Sequence, residues 1–76
     1  MYKILVVEDD DFFRDTICSV LKKNYEVTQA PNGKSACEIL SIKDVDLVLT
    51  DIQMPEFTGI ELFEWSKINK PVPFIM

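Results

Sequence analysis

The sequence predicts an α/β fold with one parallel sheet, built in the order β–α–β–α–β–α–β. Three observations point there. Short runs rich in β-branched residues alternate with segments whose apolar residues recur at spacings of three and four. Turn residues (Asn24, Pro31-Asn32-Gly33 and the Pro55–Gly59 stretch) mark the changes of period. Two apolar runs end in acid, as strands do when they deliver polar groups to the carboxyl edge of a parallel sheet. The crossovers between such strands are right-handed.

Tyr2–Val7 is a run rich in β-branched residues, apolar without a break from Ile4, the pattern of a central strand covered on both faces. Asp10 or Asp11 can cap the next helix, which carries Phe13, Ile17, Val20 and Leu21 on its expected inner side. Lys22 and Lys23 suit the negative end of that helix, and Asn24 can stop it. Tyr25–Gln29 alternates and reads as a second strand with one wetter face. After the Ala30–Gly33 turn, a helix is expected from about Lys34 to Ile42, with Ala36, Ile39 and Leu40 inward. Lys43-Asp44 breaks it, and Val45–Thr50 forms the third strand. A third helix follows Gly59, showing Ile60, Leu62, Phe63 and then Trp65 or Ile68. Lys70-Pro71 ends it, and Val72–Met76 begins a fourth strand between two prolines and the last residue. The six Phe and Trp residues, Phe12, Phe13, Phe57, Phe63, Trp65 and Phe74, read as core or loop packing.

Composition bounds the function. The chain has 76 residues, enough for one domain, with a net charge of −5 from 13 acids against eight bases. Direct nucleic-acid binding is not expected, because phosphate contacts need clustered Lys and Arg. No apolar stretch approaches the roughly 20 residues that cross a bilayer, and Met1-Tyr2-Lys3-Ile4 lacks the features of a signal peptide. Cys18 and Cys37 have neither CxxC nor metal-ligand spacing and read as reduced thiols. A cytoplasmic location is the corresponding expectation.

The chemistry sits in the acids. The first strand runs into Glu8-Asp9-Asp10-Asp11, and the third ends at Asp51, before a Pro- and Gly-marked loop. A cluster of carboxylates at one sheet edge persists only where a cation or proton relieves the repulsion. A hard ion such as Mg²⁺ takes oxygen ligands, which Asp9 and Asp51 can supply directly and Glu8 directly or through water. The backbone carbonyl of Gln53 is a plausible further ligand. With no His in the chain, Zn²⁺ or Cu²⁺ is poorly supported. An Asp carboxylate can also attack phosphorus and form an acyl phosphate. Asp51, single and at a strand tip, is the better nucleophile, and the Glu8-Asp9 pair suits ion binding. On spacing alone, acids after strands are more often helix caps and solvated turn residues than a metal site, and caps are the role read for Asp10 and Asp11.

Lys3-Ile4-Leu5-Val6-Val7-Glu8-Asp9-Asp10 and Leu47-Val48-Leu49-Thr50-Asp51-Ile52-Gln53-Met54-Pro55-Glu56-Phe57-Thr58-Gly59 resemble the two signature segments of response-regulator receiver domains. These are the phosphoacceptor modules of two-component signalling. The resemblance implies a doubly wound parallel sheet with strand order 2-1-3-4. It makes Asp51 the phosphorylated aspartate, Glu8 and Asp9 the Mg²⁺-binding pair, and Gln53 the donor of a backbone carbonyl to the ion. Glu8 replaces the commoner Asp. Met54-Pro55 and Gly59 match the loop that shapes the pocket, with Gly59 expected to adopt a backbone conformation other residues resist. A histidine kinase or phosphotransfer protein is the implied phosphoryl donor.

The same resemblance marks residues 1–76 as an incomplete receiver domain, ending after the fourth strand. The family pattern continues with a Thr or Ser at the end of that strand and a Lys at the end of a fifth, and neither has a counterpart here. Phosphorylation is therefore expected to be impaired. The fourth strand becomes an open edge, and one sheet face keeps only the first helix. Open edges template association, so a homodimer through that edge is expected, and an assembly unit that is never phosphorylated is the alternative function. A phosphohydrolase of the haloacid dehalogenase kind would need a second Asp where Gln53 stands. Nucleotide binding lacks any glycine-rich phosphate loop.

Overall fold

The structure is a computed structural model that describes all of residues 1–76. Seven elements alternate along the chain: β1 (Lys3–Val7), α1 (Asp11–Leu21), β2 (Glu26–Ala30), α2 (Gly33–Ile42), β3 (Leu47–Thr50), α3 (Gly59–Asn69) and β4 (Phe74–Ile75). The four strands form one sheet in the order β2-β1-β3-β4, and every pairing is parallel. β1 is central, with Leu5 opposite Thr28 on one side and Val48 on the other.

Strand periodicity divides the apolar side chains between two faces. Leu5, Val7 and Val48 join Ala36 and Leu40 of α2, Leu62 of α3, and Met54 in one core. Ile4 and Val6 point the other way, onto Cys18 of α1, with Ile17, Leu21, Leu47 and Leu49 only partly covered around them. Burial pushes the Cys18 and Cys37 thiols above their ordinary pKa, and both are free.

Each helix starts at a side-chain cap that satisfies an orphan backbone N–H. The Phe13 N–H donates to Asp10 Oδ1 at 2.9 Å, and the Ser35 N–H donates to Asn32 Oδ1 at 2.8 Å. Thr58 and Glu61 form a reciprocal capping box at α3. The far end of α3 is pinned by Lys70, whose Nζ lies 3.0 Å from Asp44 Oδ1 and donates to the Leu40 carbonyl at 3.2 Å.

Several expectations move. On α1 the buried residue is Cys18, while Phe13 is 54% and Val20 61% exposed. The line that meets the sheet runs through Ile17, Cys18 and Leu21, and Val20 stands about 200° around the helix from Cys18. On α3, Leu62 is buried as expected, but Ile60 and Ile68 are exposed, and Ser66 is buried instead. β2 begins at Glu26 and runs to Ala30, one residue later than the alternation indicates. β4 is only two residues long, because Pro71 and Pro73 supply no N–H to a ladder. Pro73 still contributes its carbonyl, which accepts from the Val48 N–H at 2.9 Å.

Candidate functional site

The sheet ladder runs one residue beyond the strands, and this brings the acids together. The Glu8 N–H donates to the Ala30 carbonyl at 3.1 Å, and the Asp51 N–H donates to the Val7 carbonyl at 3.2 Å. Adjacent parallel strands therefore release Glu8-Asp9 and Asp51 at the same carboxyl edge. One carboxylate oxygen each from Glu8, Asp9 and Asp51 lies within 4.8 Å of the others. Glu8 is buried, whereas Asp9 and Asp51 are exposed.

Glu8 folds back, so that its Oε2 accepts from the Asp10 N–H at 3.1 Å. Burial raises its carboxyl above the ordinary 4.5; the Asp10 N–H works against this, while the Asp9 side chain and the Asp51 charge add to it. A carboxyl held in this way is eased by a proton or a cation. The donors are all oxygens and come from two strand ends, a set that fits Mg²⁺ and leaves room for water ligands.

Asp51 also orders the loop behind it. Its Oδ1 accepts from the Gln53 N–H at 3.3 Å, placing exposed Gln53 beside the acids. The Gly59 N–H closes the loop on the Ile52 carbonyl at 3.0 Å. Gly59 is required here for space and not for an unusual backbone angle: no glycine has positive φ, and a Cβ at Gly59 would lie 2.3 Å from the Asp51 carbonyl oxygen. The positive φ of this loop belongs to Glu56, at 68°. On the α1 side, Asp51 and Glu8 border a pocket of about 190 Å³ floored by Val6, Val7, Ile17 and Leu49. Phe13, expected in the core, is part of its wall.

Arg14 is a supporting residue that the motif reading missed. Its guanidinium donates to the Glu8 carbonyl at 2.7 Å, to Gln29 Oε1 at 3.2 Å and to Asp11 Oδ1 at 2.6 Å. It thus ties the tip of β1 to β2 and to the first turn of α1. The available signal was a lone Arg three residues after the four consecutive acids that lead into a helix. Thr50, buried beneath the site, donates its hydroxyl to the Asp51 carbonyl at 3.0 Å.

Comparison with known proteins places this geometry. The response regulator receiver domain family matches residues 4–76. The response regulator receiver protein CpdR of Brucella abortus is 48% identical over 82% of this chain, which spans 52% of that protein. A protein-glutamate methylesterase/protein-glutamine glutaminase of Pseudoalteromonas atlantica is 37% identical over 99% of the chain, here equal to only 21% of the relative. The chain thus spans a fifth to a half of the length of these relatives. Among solved structures, the response regulator TrrA of Thermotoga maritima, in complex with Mg²⁺-BeF, superposes with a TM-score of 0.90 at 35% identity. That match covers 100% of this chain and 68% of TrrA. The parallel 2-1-3-4 sheet, the acidic edge and these matches agree, and the chain belongs to the response-regulator receiver domain family.

Proposed function

We propose that this chain is a Mg²⁺-dependent phosphoacceptor of two-component signalling, with Asp51 as the residue that takes the phosphoryl group. The observation that carries the reading is the convergence of Glu8, Asp9 and Asp51 on one edge, with ligand oxygens within 4.8 Å, in a chain of this family. Glu8, Asp9, Asp51 and the backbone carbonyl of Gln53 are the residues that would hold the ion. Bound there, Mg²⁺ supplies charge neutralisation for the oxygens of the transferring group. An Asp51 oxygen forms its bond to phosphorus as the donor's nitrogen–phosphorus bond breaks, and the leaving imidazole keeps the electron pair. The donor is the phosphohistidine of a kinase or phosphotransfer protein.

This role is acceptance and storage of a signal, not turnover of a substrate. Incubation with Mg²⁺ and a small acyl phosphate, followed by intact mass, tests the reading. One added phosphoryl group is expected, absent from Asp51→Asn and absent when the metal is chelated. A folded chain that gains no mass, or gains it equally in Asp51→Asn, overturns it.

A second reading rests on a separate observation: β4 pairs with β3 through only Val48 and Leu49, and its other edge is open. We propose that two copies of this chain associate through that edge. Sedimentation of a monodisperse monomer at high micromolar concentration would contradict it.

A further inference from the structure

Gly33 opens α2, yet it is in contact with the loop that follows Asp51. A Cβ at Gly33 would lie 2.2 Å from Phe57 Cδ1, 2.9 Å from Cγ and 3.0 Å from the Phe57 carbonyl oxygen. The Phe57 ring therefore rests directly on backbone that only glycine leaves bare. Phe57 is also packed against the larger core. Beside this contact lies a cleft of about 350 Å³, reaching from Phe57 and Glu56 across Asn32 and Lys34 to Asp9.

The loop that Phe57 anchors is strained. Glu56 is the chain's one non-glycine residue with positive φ, at 68°, and the Phe57 N–H donates to the Pro55 carbonyl at 2.7 Å. That is a three-residue γ-turn of the rare positive-φ form. Such a conformation persists only where its surroundings hold it. Here the base of the loop is closed by Gly59 on Ile52 and Asp51, and its tip by Phe57 on Gly33. Gln53 lies between these two clamps, with buried Met54 next to it.

We propose that the Phe57 ring seated on Gly33 is a positioning latch: it holds the Asp51–Gly59 loop in the strained form that keeps Gln53 against the acidic cluster, and so sets the affinity for Mg²⁺. The inference rests on the Mg²⁺-dependent reading above and adds to it a control point on α2, outside both signature segments. Gly33 and Phe57 act through the loop and are positioning residues.

Calorimetric titration with Mg²⁺ alone tests this on the whole chain, using Gly33→Ala, Phe57→Ala, the double variant and Phe57→Leu. Each variant is first shown folded by circular dichroism, and its metal-free melting temperature is recorded separately. Gly33→Ala and Phe57→Ala are each expected to weaken Mg²⁺ by about tenfold, as loss of an outer support does at metal sites. The double variant should be no weaker than the poorer single one, because both break one contact. Phe57→Leu, which keeps apolar bulk on Gly33, should recover most of the loss. Phe57→Ala removes atoms without adding a clash, so it decides the matter if Gly33→Ala does not fold. Folded single variants that bind Mg²⁺ within twofold of the parent, or losses that multiply in the double variant, overturn the latch. A parent chain that binds no Mg²⁺ instead overturns the reading on which the latch rests.

Discussion

The two faces of the sheet are made of the same residue types but are buried differently. On the α2–α3 face, Leu5 and Val48 are fully covered, and nine residues form a continuous core. On the α1 face the equivalent core has three members, Ile4, Val6 and Cys18. Leu47 and Leu49, neighbours of Val48 on the same strand, stay partly exposed. Between α1 and β4 runs an apolar groove of about 330 Å³, lined by Tyr2, Ile4, Leu21, Leu47, Leu49 and Ile75 among others. Burial is thus decided by how many helices lie over a face, two against one, and not by the hydrophobicity of the strands. The single helix is held partly by other means, because Arg14 fastens α1 to Glu8 and Gln29 through hydrogen bonds.

The comparison predicts unequal responses to equal cuts. Leu62→Ala, on the two-helix face, should cost about 2–5 kcal/mol and leave little cooperative urea unfolding in a domain of this size. Arg14→Met should come next, at about 1–3 kcal/mol, despite adding an apolar side chain, because the Glu8 carbonyl and Gln29 lose their donor. If urea midpoints show Arg14→Met to be neutral, α1 is held by packing alone and the contrast between the faces fails. Leu49→Ala should cost less than about 1.5 kcal/mol, since its side chain is already partly in water. An equal cost for Leu49→Ala and Leu62→Ala would erase the distinction.

The smallest expected effect concerns pH. The Glu8 carboxyl is raised above 4.5 by burial first, and by Asp9 and Asp51, so the folded chain holds a proton that the unfolded chain releases. Its contribution to stability is fully present below pH 4.5 and is lost as pH rises through the raised value. Thermal melts in chelator should therefore fall across that window, and Glu8→Gln should flatten the slope. A stability that rises with pH in the same window, attributable to Glu8, would contradict the sign.

The sequence made the fold class legible because the change from period-two runs to helical spacing is a local signal. It also marked Glu8, Asp9 and Asp51, since strand ends are visible in the chain. The inner side of α1 was not legible. Phe13, Ile17, Val20 and Leu21 satisfy the helical spacing, but the contact line is set by how the helix sits on β1 and β2, which selects Cys18 and turns Val20 outward. The need for Gly59 was legible but its cause was not, because a close approach to the Asp51 carbonyl is a property of the folded loop. The Gly33–Phe57 contact was hidden for the same reason: it joins two turns that no periodicity links.

Asp51, and no other acid at this edge, is the residue proposed to take the phosphoryl group. Borohydride reduction after exposure to Mg²⁺ and a small acyl phosphate, followed by peptide sequencing by mass, tests it at the residue. Residue 51 is expected to be recovered as homoserine, the reduction product of an aspartyl phosphate. Reduction at Asp9, Asp10 or Asp11 instead, or none in a chain shown to be folded, would contradict it.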